Sequence, residues 1–196
     1  MMKNTKGFTL VELLAAIIIL GIISVFAIPQ IVGLLTSSRN KIYVSDAKRL
    51  IAQVEYKIQS AHSKIEKPDP NDCIVISLLY LDTSDFDVAP NGGIYQKENS
   101  FVVVKNNNGK LEYAVTLVEK TKKNYYRGID LVSQSSLSTG AFSNSIKDFS
   151  REELIDVETG VTKEYINGKI SNFLSGDVVS VYNHLDVADD LYFDDN

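Results

Sequence analysis

"KGFTLVELLAAIIILGIISVFAIPQ", residues 6–30, sets an acid inside a run that is otherwise almost wholly apolar. Residues 13–28 are sixteen uncharged positions broken only by Gly21 and Ser24, and the neutral stretch continues through Ser38. As a helix at ~1.5 Å per residue, residues 8–35 would extend ~42 Å, against ~30 Å for the hydrocarbon of a bilayer. The segment is long enough to span one. Flanking charge leaves the orientation open, because Lys3 and Lys6 precede the run while Arg39, Lys41, Lys48 and Arg49 follow it. A secretory signal cut after Ala27 is the competing reading. Against it, Gly-Phe-Thr-Leu-Val-Glu separates the basic residues from the apolar stretch, and the run leads directly into an amphipathic helix instead of a cleavage loop.

An ionised carboxylate in an apolar phase is costly unless neutralised or paired, which makes Glu12 a functional candidate by default. No cation stands at helical spacing from it within the run. A cut between Gly7 and Phe8 would supply one, a new α-amino group four positions from Glu12 at the edge of the apolar segment. Lys6-Gly7, then Phe8-Thr9-Leu10-Val11-Glu12, then the apolar run with Pro29, resembles the class III signal of type IV pilins and pseudopilins. The likeness covers about residues 3–35; beyond them it is one of architecture alone.

The resemblance implies that a prepilin peptidase cleaves after Gly7 and methylates the amine of Phe8. It implies that Glu12 pairs with the terminal amine of a neighbouring copy as the apolar helices bundle into a helical filament, a homo-oligomer. It further implies an assembly ATPase and a platform membrane protein as partners. The prepilin would sit in the inner (cytoplasmic) membrane as a single-pass protein with Lys3 and Lys6 cytoplasmic, and pass later into an extracellular pilus for adhesion, motility or surface contact. A pseudopilin of a type II secretion or DNA-uptake machine is the alternative, and a membrane-anchored binding domain that never polymerises is the more distant one. The role is structural, with no enzymatic activity and no cofactor.

Physical chemistry agrees with the pairing. A buried lone carboxylate and a buried lone ammonium are each unfavourable, and assembly lets each relieve the other, so Glu12 sets register more than it adds stability. Gly7 has no side chain to keep a peptidase from the scissile carbonyl. Pro29 lacks an N–H and crowds the carbonyl of Val25, and with Gly21 it makes residues 21–29 the part least committed to helix, where a kink is expected. In filaments of the family the corresponding stretch can unwind, which would let a pilus extend under load.

Beyond Pro29, apolar or small residues recur at Tyr43, Ala47, Leu50 or Ile51, Val54, Ile58, Ala61 and Ile65, a step near 3.6 that places one helical stripe on a core. No breaker appears before Lys67-Pro68-Asp69-Pro70, so one helix is expected over residues 8–66. The organisation follows: a leader at 1–7, an apolar transmembrane or filament-core half-helix at 8–35, an amphipathic half at 36–66, and a globular α+β head at 67–196. In the head, Asn106-Asn107-Asn108-Gly109 marks a hairpin, residues 127–132 a third strand, and Asn167-Gly168 a second hairpin, with a further strand at 177–182. Residues 133–147 are Ser-rich and read as a loop, and Ser150 with Glu153 reads as a capping box opening a short helix through Val157. The fold class is α+β, a type IV pilin fold with a long N-terminal helix packed on an antiparallel sheet. Residues 68–99 read as the connection between helix and sheet, with "DCIVISLLYL" either strand or helix.

Other chemistry is thin. The chain has 196 residues, a single cysteine and a net charge of −5, which removes intrachain disulfides and argues against bulk attraction to nucleic acid or to anionic lipid, leaving either to a local patch. Cys73 with His62 or His184 would be the obvious nucleophile pair, but Asp-Cys-Ile-Val-Ile is the setting of a small buried hydrophobe. Asp186, Asp189 and Asp190 belong to an acidic tail that could gather calcium, yet the spacing matches no EF-hand and a solvated terminus is the commoner cause. "KTKKNYYRG", residues 120–128, interleaves lysines with tyrosines as single-strand nucleic-acid platforms do; lysines guarding a strand edge have the same composition.

Overall fold

Helix α1 (Leu10–Gln59) starts at the Thr9 cap and continues through Gly21 and Pro29 without a break in helical assignment. This is a computed structural model, and it describes residues 7–60, 65–81, 86, 88–139, 145–154 and 178–182. The chain divides into two compact units, Met1–Arg39 and Asn40–Asn196. In the first unit the helix buries nothing of its most apolar stretch, and Ile17, Ile18, Ile19, Ile22 and Ile23 are each more than half exposed. Ser24 Oγ donates to the carbonyl of Leu20 (2.7 Å) and Thr36 Oγ1 to that of Val32 (3.0 Å), so both hydroxyls are satisfied on the helix itself.

In the second unit the same helix turns one-sided. Tyr43, Val44, Ala47, Leu50, Ile51 and Val54 are buried along one stripe, as the 3.6-residue step predicts. Burying Leu50, Ile51 and Val54 contributes about 1.5–3 kcal/mol each. The helix ends seven residues short of expectation. Ser60 N–H donates back to the Lys57 carbonyl (3.2 Å) in a tightened last turn, and Ile65 and Pro68 are buried outside any helix. Ser and His are indifferent helix formers, and packing of Ile65 into the core outweighs them.

The head's sheet runs in the order β6-β5-β4-β3-β1-β7. Its strands are β1 (Cys73–Ser77), β2 (Ile94–Tyr95), β3 (Phe101–Asn107), β4 (Lys110–Lys120), β5 (Tyr126–Ser133), β6 (Ile146–Phe149) and β7 (Val178–Tyr182). All pairs are antiparallel except β1 with β7, and β2 pairs with the end of β4 beyond the reach of β3. The β3–β4 hairpin turns where the sequence places it. Asn108 and Gly109 take φ of 50° and 96°, the left-handed pair that a two-residue hairpin requires, and Gly109 N–H donates to Asn106 Oδ1 (2.7 Å).

Register aligns Ile74 with Val104 and Tyr113, and Ile76 with Val102 and Val115, in rows that share a core with the buried stripe of α1. The alternate row, Val75, Val103 and Ala114, is buried as well, which is why these strands read as continuous apolar runs instead of alternating ones. "DCIVISLLYL" is both of its alternatives in turn: β1, then the short helix α2 (Leu78–Leu81). Residues 68–99 thus supply an interior strand, not merely a connection. The Ser-rich stretch differs too. Ser133 Oγ accepts from the Ser136 N–H (3.1 Å) and caps helix α3 (Gln134–Thr139), whose Gln134 Nε2 reaches Glu55 on α1 (2.9 Å), and β6 occupies the end of the presumed loop. At Ser150 the capping box is present, its amide donating to Glu153 Oε2 (2.8 Å), but it opens only a 3₁₀ turn, Arg151–Glu153. The bond from Lys147, reinforced by that amide, holds the Glu153 carboxyl down at about 2. The Asn167-Gly168 hairpin lies outside the described residues.

A buried carboxylate ties helix, sheet and loop together. Glu119 on β4 accepts from Tyr43 Oη (2.5 Å), from the Asn91 amide (3.1 Å) and side chain (3.2 Å), and from the Gly93 amide (3.2 Å). One helical turn along, Asp46 accepts from Tyr95 Oη (2.8 Å) and pairs with Arg49 (3.3 Å), whose guanidinium lies 4.5 Å from the centre of the Phe86 ring. Burial first, and then the neighbouring acid, pushes the Tyr43 and Tyr95 hydroxyls well above the ordinary tyrosine range.

Two predictions follow from this packing. A Cβ at Gly128 would stand 1.8 Å from the Leu117 carbonyl oxygen, a backbone atom that cannot step aside. Gly128→Ala is therefore expected to lower stability by about 1–3 kcal/mol or more, read as a reduced Tm by circular dichroism of the detergent-solubilised chain; an unchanged Tm would mean that β4 and β5 do not pair as described. The second concerns base. Tyr43 and Tyr95 stay neutral in the folded head but ionise at about pH 10 once unfolded, so the unfolded state loses protons first and stability falls as pH rises above that value. Tm measured against pH should drop more steeply above about 10 in the wild type than in Tyr43→Phe/Tyr95→Phe, and identical slopes would contradict it.

Candidate functional site

The site is the start of α1. Gly7 and Phe8 precede the helix, and Phe8 is 86% exposed. Thr9 is the N-cap: its amide and hydroxyl both donate to Glu12 Oε2, at 2.9 and 2.8 Å, while its hydroxyl oxygen accepts from the Glu12 amide (3.3 Å). The Thr9 carbonyl accepts from the Leu13 N–H (3.2 Å) and opens the helical ladder. This is a reciprocal capping box, in which two orphan donors and the carboxylate satisfy one another. Among the described residues Glu12 makes no ion pair, so in the single chain Thr9 is its partner.

Thr9 is the residue that the sequence reading passed over. Its signal was in plain view, since Thr9-Leu10-Val11-Glu12 directly before an apolar run has the T-x-x-E spacing of a capping box. The attention drawn by the charge of Glu12 hid its second role as a cap.

Gly7 and Gly21 meet nothing. A Cβ built at either would have no atom within 4 Å, and the same holds for Gly33. Among the described residues, then, the fold places no demand for glycine at position 7. Pro29 lies inside α1 with the helix assigned on both sides of it.

Nothing in the head assembles a competing centre from described residues. Cys73 is fully buried in β1, while His62, His184, Asp186, Asp189 and Asp190 lie outside the described residues. Among the described residues no group of three or more His, Cys, Asp or Glu could hold a metal ion. Within the 120–128 stretch, Lys120 ends β4, residues 121–125 form the turn, closed by Thr121 N–H to the Tyr125 carbonyl (2.9 Å), and Tyr126 opens β5.

A search of curated proteins and a search of solved structures each returned no match. The family-model comparison did: residues 2–28 match the prokaryotic N-terminal methylation motif. With an α+β, type IV pilin-like arrangement behind it, the chain carries at its amino terminus the class III signal peptide of type IV pilins and pseudopilins.

Proposed function

We propose that this protein is a structural subunit of a type IV pilus, inserted as a prepilin, cut between Gly7 and Phe8, methylated on the Phe8 amine and assembled through its apolar half-helix. The observation that carries this reading is the coincidence of the methylation motif over residues 2–28 with a helix whose most apolar stretch finds no cover among the described residues. A bilayer can cover them before assembly, and copies of the same helix can cover them afterwards.

Glu12 has two successive partners in this scheme. In the stored subunit the Thr9 cap satisfies it; in the fibre the liberated amine of an adjacent copy adds the opposite charge. Removing residues 1–7 also removes Lys3 and Lys6, so the mature chain is two charges more negative. The prepilin peptidase, an assembly ATPase and a platform membrane protein are the partners the scheme requires, and adhesion or motility is the use of the fibre. A pseudopilin of a secretion or DNA-uptake machine shares every one of these features up to fibre length, and electron microscopy of the assembled polymer separates the two.

The decisive experiment is mass spectrometry of the amino terminus on protein sheared from cells. A chain beginning at Phe8 and bearing an added methyl group is expected; a terminus at Met1 or after Ala27 would end the proposal. Variants at Glu12 then isolate the charge. Both Glu12→Ala and Glu12→Gln should insert and be processed. Breaking a buried pair should reduce incorporation into fibres by at least about a hundredfold for both. Gln retains the capping acceptor, so normal fibres from Glu12→Gln would assign the effect to the cap and refute the ion pair.

A further inference from the structure

The basic and aromatic turn between β4 and β5 has no part in that scheme, and the structure places it in specific company. A Cβ at Gly92 would lie 3.3 Å from Lys122 Cε, and one at Gly93 would collide with the Lys120 carbonyl, so residues 88–94 pack directly against residues 120–125. Ala89 N–H donates to the Gly93 carbonyl (3.0 Å) and Gly92 N–H to that of Ala89 (2.8 Å), a tight turn that brings Val88 and Ile94 to facing positions. Val88 is 75% exposed, Ile94 57% and Tyr125 40%. Lys122 and Lys123 are exposed beside them, and Ile94 pairs in register with Lys120. One corner of the head thus presents two bare aliphatic side chains, a tyrosine and three lysines on a protein whose net charge is −5.

We propose that this corner docks on an anionic phospholipid surface. Lysines give it charge complementarity to the headgroups, and tyrosine suits the boundary between headgroup and acyl chain. The aliphatic pair decides between partners. Val88 and Ile94 offer nothing to phosphates or base edges but gain by insertion at a lipid interface, and the net charge of −5 opposes both anions alike, so the aliphatic pair carries the choice.

Asn91 and Glu119, at the base of the corner, bond Tyr43 and so tie the corner to the core of the head. Each lysine at an anionic surface is worth about a fivefold preference. For a free domain that is too little, but a covalent anchor raises the effective concentration to about the millimolar range, where two or three such contacts shift the population. The inference rests on the membrane-anchored part of the reading above and not on filament assembly.

Hydrogen exchange on the full-length protein in nanodiscs tests it, comparing phosphatidylcholine alone with phosphatidylcholine plus phosphatidylglycerol. Amides at residues 88–94 and 121–125 should exchange several-fold more slowly in the anionic discs. The difference should vanish at high salt, where the screening length shrinks to about 3 Å, and in Lys122→Glu/Lys123→Glu. Unchanged exchange in β1 and β3 controls for folding of that variant. Val88→Ser/Ile94→Ser should weaken the protection as well. Equal exchange in the two lipids would overturn the proposal, as would protection that appears only when a single-stranded oligonucleotide is added to neutral discs. Neither result bears on where the amino terminus begins, so the pilin reading stands or falls separately.

Discussion

A half-helix whose large aliphatic side chains from Leu10 to Leu34 are each more than half exposed cannot persist as such in water, and the rest of this protein is arranged around that fact. In the head the chain covers its main apolar cluster itself, α1 from Tyr43 onward by the sheet and the inner strands on both faces, and leaves bare a small corner at Val88, Ile94 and Tyr125. The first unit leaves the cover of its whole apolar run to the surroundings. Lipid can supply it, and so can more of the same helix, but the two differ in what they offer a charge. A bilayer offers Glu12 no counter-ion at depth; a bundle of processed copies offers one per subunit.

The Thr9 cap changes how that difference should be understood. Without it, the stored subunit would hold a lone acid in an apolar phase and assembly would be a rescue. With it, both donors of Thr9 already point at one carboxylate oxygen, and among the described residues Oε1 accepts no hydrogen bond. Exchange between environments then needs no breaking of the cap, only the addition of a partner. The same geometry holds the first turn in a fixed form, which would matter in the proposed fibre, where the ammonium of a neighbouring copy would have to find the carboxylate in a predictable place.

How much of this was legible depends on the range of the interaction involved. The hairpin at Asn108-Gly109, the one-sided stripe from Tyr43 to Val54 and the Ser150/Glu153 box were readable because their causes are local: backbone φ, helical period, a three-residue spacing. The end of α1 was not, because the burial of Ile65 is decided by distant strands and not by the residues after Gln59. Nor was the interior position of β1, which depends on its register with β3 and on a parallel partner more than a hundred residues away. In the Ser-rich stretch the cap at Ser133 was visible in principle, but helix α3 gains its anchor from Glu55, again a long-range contact. At the candidate site the reverse happened. Glu12, Gly7 and Phe8 stood out by chemistry, while the quieter Thr9 was missed although its spacing was local.

The two units also differ in what holds them, and this separates the consequences of change. The head has no disulfide available and fixes its loop and helix through Glu119, a carboxylate with no exposed surface and with donors from three residues on two segments, Tyr43 on the helix and Asn91 and Gly93 in the loop. A buried acid with this many donors does less to raise stability than to penalise alternative packings, since any shift of the 89–93 loop or of Tyr43 leaves charge unsatisfied. Changes there act on folding and report on the head alone. In the apolar unit, by contrast, Gly7, Gly21 and Gly33 have free space around them, and substitutions meet no neighbour within the chain. In the proposed scheme their effects would surface in encounters with peptidase, lipid or another copy, so a variant of the apolar unit that folds normally and still fails in the cell would locate the fault in one of those encounters.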